Sequence, residues 1–274
     1  MGQTMTSSTV LYEVEDDIAT VTLNRPERLN ALNDELIVAL YQAMQRADRD
    51  REARVIILTG AGRGFCAGGD IQGFSDLEPE QLIVKNPTPF NMNIRADYQS
   101  RHAYLPSLRK PVIGMVNGPA AGLGLLYALG CDIRFASDTA LFTTAFAKRG
   151  LAAEFGMSWL LPKIVGHANA MDLLLSARTV DAKEALGLGL INKLFTSESL
   201  RAETLAYAKE MVRWCSPTSM RHIKRQTWDA PFQSLEDSVR DANQIMLQTN
   251  RSADFTEGTA SFREKRAPTF PAID

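Results

Sequence analysis

With 274 residues, 45% hydrophobic and 23% charged, the chain can bury a large core and has the composition of an ordinary folded, soluble protein. Its formal net charge of −2 gives no electrostatic basis for binding nucleic acid, so an anionic ligand has to be held by local groups. Cys66, Cys131 and Cys215 are odd in number and widely spaced, which argues against a disulfide framework or a paired-cysteine metal site and fits a reducing cytoplasm. The N-terminal MGQTMTSSTV lacks a cationic stretch followed by an apolar one, so it reads as a loose tail over residues 1–8 with no secretory signal. Its Gly2 opens a pattern resembling a myristoylation signal, a match common by chance.

Val10 to Asp16 and Ile18 to Asn24 are rich in β-formers and separated by acidic turn residues, which predicts a hairpin. Asn33 precedes a helix expected over residues 34–50, with Leu36, Leu40, Ala43 and Ala47 on one face. Val55 to Thr59 reads as a buried strand running into GAGRGFCAGGDI, whose small residues let the backbone pass close to another surface or a ligand. Residues 76–103, with prolines at 79, 87 and 89 and no clean period, predict a long surface loop of the kind that forms lids.

Next comes PVIGMVNGPAAGLGLLYALGCDI, Pro111 to Ile133, which reads as strand, turn and helix. Asn117, Pro119 and five glycines interrupt it, which excludes a membrane-spanning helix. It also lacks the third glycine and the acidic partner of a dinucleotide-binding turn. Gly122 and Gly124 flank Leu123 where the helix is expected to begin, so the first N–H groups are approachable and have no partner within the helix. Further strands are expected at Cys131 to Ala136 and Ala140 to Thr144, followed by helical segments over residues 151–166 and 167–177 broken at Gly166. Beyond Arg201 the pattern is almost wholly helical: residues 203–214, 217–229, 234–247 and 254–266. The domain expectation is therefore a core over residues 1–200 and a helical region over 201–274.

NRPERLNALN, RVIILTGAGRGFCAGGDI, KPVIGMVNGPAAGLG, SARTVDAKEALGLGLIN and FREKRAPTF, in that order, resemble the crotonase (enoyl-CoA hydratase/isomerase) superfamily over essentially the whole chain. The resemblance implies an α/β fold: a spiral of ββα units making two roughly perpendicular sheets, with C-terminal helices that assemble trimers or hexamers. It implies an acyl-CoA thioester ligand, coenzyme A entering as part of the substrate, with no separate cofactor and no metal. Matching its motifs puts an oxyanion hole at the backbone N–H groups of Gly69 and Leu123. Such donors stabilise an enolate-like oxyanion, each contributing about 3–4 kcal/mol to the transition state. By the same resemblance coenzyme A lies along Ala67, Gly68, Asp70 and Ile71 near Arg28, with Phe262 and Lys265 supplied by a neighbouring subunit. Read from its position alone, Asp70 is instead a loop anchor or helix cap.

Hydratases of the family orient water with two glutamates. Counting from the shared glycines, those positions hold Leu126 and Phe146, apolar residues that disfavour a nucleophilic water. Glu154, in GLAAEFGMSW, matches the position of the catalytic glutamate in the family's peroxisomal-type 3-enoyl to 2-enoyl isomerases and of the aspartate nucleophile in its chlorobenzoyl-CoA dehalogenases. Among Leu151, Ala152, Ala153, Phe155 and Trp159 it is expected to be poorly hydrated, with its pKa raised. The alternative for Glu154 is a stabilising carboxylate in a helix first turn. His102, His167 and His222 are scattered without metal-ligand spacing, and Ser158 lacks the glycine context of a nucleophile elbow.

The expectation is an isomerase that moves the double bond of a 3-enoyl-CoA, in a cytoplasmic homo-oligomer that binds neither nucleic acid nor membrane. Its rivals are a hydratase of fatty-acid β-oxidation relying on Glu154 and a non-catalytic acyl-CoA binder.

Overall fold

The computed structural model describes residues 9–70, 92 and 94–271. β1 (Val10–Glu15) and β2 (Ile18–Leu23) form the expected antiparallel hairpin, with Asp16 and Asp17 both at positive φ in its turn. α1 (Asp34–Arg49) starts where Asn33 accepts the Leu36 N–H, and it returns the chain to β3 (Val55–Gly60), parallel to β2. β4 (Val112–Val116) adds parallel to β3. The two-residue β5 (Ala120–Ala121) then leads into α2 (Leu123–Gly130), β6 (Ile133–Ser137) and β7 (Leu141–Thr143).

α3 (Met157–Val165) and α4 (His167–Ser176) follow, broken at Gly166. After them come β8 (Val180–Asp181), α5 (Ala182–Gly187) and β9 (Lys193–Phe195). Among the described residues the larger sheet has six strands in the order β1-β2-β3-β4-β6-β9, and the smaller has three, β5-β7-β8. α6 (Leu200–Trp214), α7 (Pro217–Asp229), α8 (Leu235–Thr249) and α9 (Ala253–Glu264) complete the described chain. Among the described residues no helix is long and apolar enough to cross a membrane.

β3 and β4 are buried at every position, as parallel strands covered on both faces must be. The period of two then sorts their side chains. Ile56 and Leu58 join Leu36, Leu40 and Leu125 in the main hydrophobic cluster. Val55, Ile57, Ile113, Met115 and Phe135 face the other way and pack with Leu200 and Ala208 of α6 and Met220 of α7. One hydrophobic cluster therefore crosses the boundary expected at residue 200: the first part of the helical region covers the sheet.

A correction concerns residues 151–166, where the helix begins only at Met157. Phe155 (φ 49°) and Gly156 (φ 83°) adopt left-handed backbone, which a right-handed helix cannot contain. Glu154 consequently precedes α3, and there is no acidic residue in that helix's first turn. The tail over residues 1–8, Ile71 and most of the loop expected over 76–103 lie outside the described residues; residues 94–103 belong to the site below.

Candidate active site

The glycine-rich segment after β3 is held on both flanks by main-chain hydrogen bonds. On one side the Ala67 N–H donates to Leu29 O (2.9 Å), Leu32 N–H to Gly68 O (2.8 Å) and Asp70 N–H to Leu32 O (2.9 Å). On the other, the Cys66 N–H donates to Pro119 O (3.0 Å) and Ala121 N–H to Cys66 O (3.0 Å). Successive N–H groups of an extended chain point to opposite sides. With Gly68 O and Asp70 N–H committed to Leu32, the Gly69 N–H between them faces away from that partner.

Two asparagines fix the loop's course. Asn30 Nδ2 donates to Ala61 O (3.0 Å) and Gly64 O (2.8 Å), and Asn117 Nδ2 donates to Gly62 O (2.9 Å). Asp70 closes the segment by pairing with Arg25 Nη2 at 3.0 Å, both side chains being mostly buried. Its carboxylate thus anchors the loop, as its position in the sequence suggests. Cys66 has its thiol pushed up to about 12 by burial, which rules out a thiolate nucleophile there near neutral pH.

Gly122, at φ 51°, turns the chain from β5 into α2 and leaves the Leu123 N–H as the first of that helix. The Gly68 backbone passes against this turn: a β-carbon on Gly68 would lie 2.8 Å from Ala121 O and 3.7 Å from Leu123 N. Among the described residues neither the Gly69 nor the Leu123 N–H has an acceptor. Two unpaired main-chain donors therefore occupy adjoining segments, and the α2 dipole reinforces the second.

One turn beyond Leu123, Leu126 enters the wall of an apolar cavity of about 340 Å³. Phe155, Gly156, Trp159 and Phe232 also line it, together with Tyr98 and His102 from the described end of the predicted loop. The Trp159 ring stacks on Phe232 at 5.0 Å and 12°, while Lys163 Nζ lies 4.5 Å from the Trp159 ring centre. Asp97, at the same cavity, is paired with Arg95 at 3.0 Å. Phe146 is buried in the main hydrophobic cluster and does not line this cavity.

Glu154 directly precedes the cavity-lining Phe155. It is half-buried, beside the partly buried Ala153 and Phe155, whereas Leu151 and Ala152 are exposed. Its carboxylate has no hydrogen-bond or ionic partner among the described residues, and burial raises its pKa. Arg28 is exposed on a short 3-10 turn, and Phe262 and Lys265 are exposed on and just after α9. The structure thus brings together Ala67, Gly68, Gly69 and Leu123, with Leu126 and Trp159 in the adjoining cavity and Glu154 next to its wall. Arg28, Phe262 and Lys265 lie outside that cavity wall.

The residues that sequence reasoning missed are His102, Tyr127, Asn30, Asn117 and Phe232. The asparagine-glycine context of Asn117 marked a turn, but nothing local marked its long-range hydrogen bonds.

The family model for enoyl-CoA hydratase/isomerase matches residues 13–272. The chain is 37% identical over 263 residues to the 1,2-epoxyphenylacetyl-CoA isomerase of Escherichia coli K12, covering 95% of this chain and 97% of that protein. It is 36% identical over 274 residues to the probable enoyl-CoA hydratase EchA12 of Mycobacterium tuberculosis H37Rv, covering 98% and 95% of the two chains. Among solved structures, an enoyl-CoA hydratase from Mycobacterium tuberculosis H37Rv superposes with a TM-score of 0.85 at 30% identity, over 96% of this chain and 99% of that one. The glycine loop, the helix start and these likenesses, which run nearly end to end, lead to one conclusion: the chain belongs to the enoyl-CoA hydratase/isomerase family.

Proposed function

We propose that this protein is an acyl-CoA enzyme that shifts a carbon–carbon double bond through a thioester enolate, converting a 3-enoyl-CoA to a 2-enoyl-CoA with Glu154 as the base. Glu154 removes a proton from C2, the electron pair moves onto the thioester oxygen, and the resulting dienolate is stabilised by the Gly69 and Leu123 N–H groups. The protonated carboxyl then delivers its proton to C4, leaving the double bond between C2 and C3. One carboxylate serves both steps.

The observation that carries this reading is two main-chain donors on adjoining segments, with Glu154, partly desolvated and without a partner among the described residues, directly before the cavity-lining Phe155. Leu126 supports it, since an apolar side chain in the cavity wall cannot orient a water for addition to C3. The coenzyme A portion is assigned to Ala67, Gly68, Ile71 and Arg28, with Phe262 and Lys265 serving a neighbouring copy. The high exposure of Phe262 (86%) and of Leu235 (82%), and the absence of any buried residue from α8, support a homo-oligomer.

The test offers the purified protein a 3-enoyl-CoA and a 2-enoyl-CoA in parallel and follows the absorbance of the conjugated thioester, with Glu154→Gln as control. A Glu154-dependent rise on the first and no fall on the second is the expected result. A Glu154-dependent fall on the second makes the protein a hydratase. Bound thioester with no change on either makes it a binder. A second reading, isomerisation of an aromatic acyl thioester, is favoured by the Phe155, Trp159 and Phe232 rings in the cavity, and an arylacetyl-CoA derivative in the same assay decides it.

A further inference from the structure

The apolar cavity has a buried polar member for which the isomerisation has no use. His102 is 4% exposed, lines the cavity with Leu126, Phe155 and Trp159, and packs edge-on against the Phe155 ring at 4.5 Å. Its Nδ1 lies 2.9 Å from the Tyr127 hydroxyl. Tyr127 is wholly buried, and among the described residues its hydroxyl has no other partner. A phenol proton enclosed without an acceptor is costly, so the hydroxyl donates to Nδ1. The neutral ring must then carry its own proton on Nε2.

Burial, with a smaller contribution from the neighbouring Arg101, pushes His102 down to about 4, so the ring is neutral at physiological pH. Nε2 has no partner among the described residues. The ring lines the cavity, and with Nδ1 engaged by Tyr127 it is Nε2 that is left to meet a ligand there. Other polar groups of the wall are engaged elsewhere: the Tyr98 hydroxyl donates to Trp228 O (3.1 Å), and Trp228 Nε1 donates to Asp132 (2.7 Å).

We propose that the His102 Nε2–H is a specificity element that hydrogen-bonds an oxygen carried by the acyl group, so that the cavity selects thioesters bearing a hydroxyl, keto or ether oxygen over the plain hydrocarbon of equal length. The assignment rests on the acyl-CoA reading above. A hydrocarbon chain covers the donor and offers it no acceptor, whereas an oxygenated chain both fills the cavity and satisfies the donor. Sites built around a hydrogen-bond donor discriminate strongly against ligands that leave it unmet.

Calorimetric titration of the full chain with hexanoyl-CoA and with 3-, 4- and 5-oxohexanoyl-CoA tests this. Wild type is expected to bind at least one oxo thioester about 10-fold more tightly than hexanoyl-CoA. His102→Phe is expected to erase that preference while holding hexanoyl-CoA within about 3-fold, and His102→Gln, which keeps an N–H donor, to restore part of it. Equal affinity across the panel in wild type, or an undiminished preference in His102→Phe, overturns the proposal. Should circular dichroism show His102→Phe to be unfolded, His102→Leu replaces it: this variant also removes the donor, and an undiminished preference there is equally fatal. Binding of hexanoyl-CoA without preference refutes only the role of His102. Binding of no thioester at all refutes the acyl-CoA reading and, with it, the proposal.

Discussion

A β-carbon on Gly124 would stand 2.0 Å from the carbonyl oxygen of Cys66. That oxygen already accepts the Ala121 N–H at 3.0 Å, so the first turn of α2 and the glycine-rich loop are in direct contact through the main chain. Gly124→Ala must push the two apart, and both carry a proposed oxyanion donor. The expected result is a loss of about 1–3 kcal/mol of stability in urea denaturation. A fall of more than 10-fold in kcat is expected with it. Full activity in this variant would show that the contact does not set the donor geometry.

Glu154→Gln keeps the size of the side chain and removes the proposed base. Turnover is expected to drop by about 10²–10⁴-fold with thioester affinity retained, as single-turnover and binding measurements would show.

The acid limb of the wild-type profile of kcat/KM against pH should fall above the ordinary glutamate value of 4.5, because burial raises the Glu154 pKa. The matching stability effect has a definite sign. A carboxyl that holds its proton more tightly in the folded state loses relative stability as pH rises through that window, so Glu154→Gln should be no less stable than wild type at neutral pH. A variant that unfolds more readily at neutral pH would show that the carboxylate has a structural partner.

Trp159, Leu160 and Trp228 line both the apolar cavity and a neighbouring one of about 490 Å³ that reaches Ile223 and Met220 of α7. Trp159→Ala opens this shared wall. The ratio of kcat/KM for decenoyl-CoA over hexenoyl-CoA is expected to rise about 10-fold or more, measured with 3-enoyl thioesters of each length. No shift would place the end of the acyl site elsewhere.

Lys224 fastens α7 to the sheet from the inside. Its Nζ pairs with Asp132 at 2.8 Å and donates to Lys110 O at 2.9 Å, and it is 7% exposed. Lys224→Met strands the Asp132 carboxylate without its counter-charge, so a loss of about 3 kcal/mol is expected by urea denaturation. A stability within 1 kcal/mol of wild type, roughly the worth of an exposed pair, would show that water replaces the ammonium.

What could be read from the chain was whatever a local period encodes. The unbroken apolar run of β3, the Asn33 cap of α1 and the Gly-Leu-Gly start of α2 each announce themselves within a few residues. β5 and β8, at two residues apiece, are too short to carry any period and exist only because β7 pairs with both. The expectation of a helix from Leu151 failed because the left-handed backbone of Phe155 is imposed by tertiary surroundings rather than by its side chain. The motif resemblance is what points to Gly69, Leu123 and Glu154 as site residues. His102 and Tyr127, 25 residues apart, meet only through packing, and no spacing rule joins them.

The flanking hydrogen bonds of the glycine loop are made by peptide groups, as are the two N–H groups they leave free. A codon change rewrites a side chain and leaves the peptide N–H in place, unless proline is introduced. The proposed oxyanion donors can thus be tilted by mutation but hardly deleted, while Leu126, Phe155, Trp159 and the proposed base are each one substitution from something else. On the proposed mechanism, selection acting on such an architecture can trade one acyl reaction for another without first losing the means of holding the intermediate.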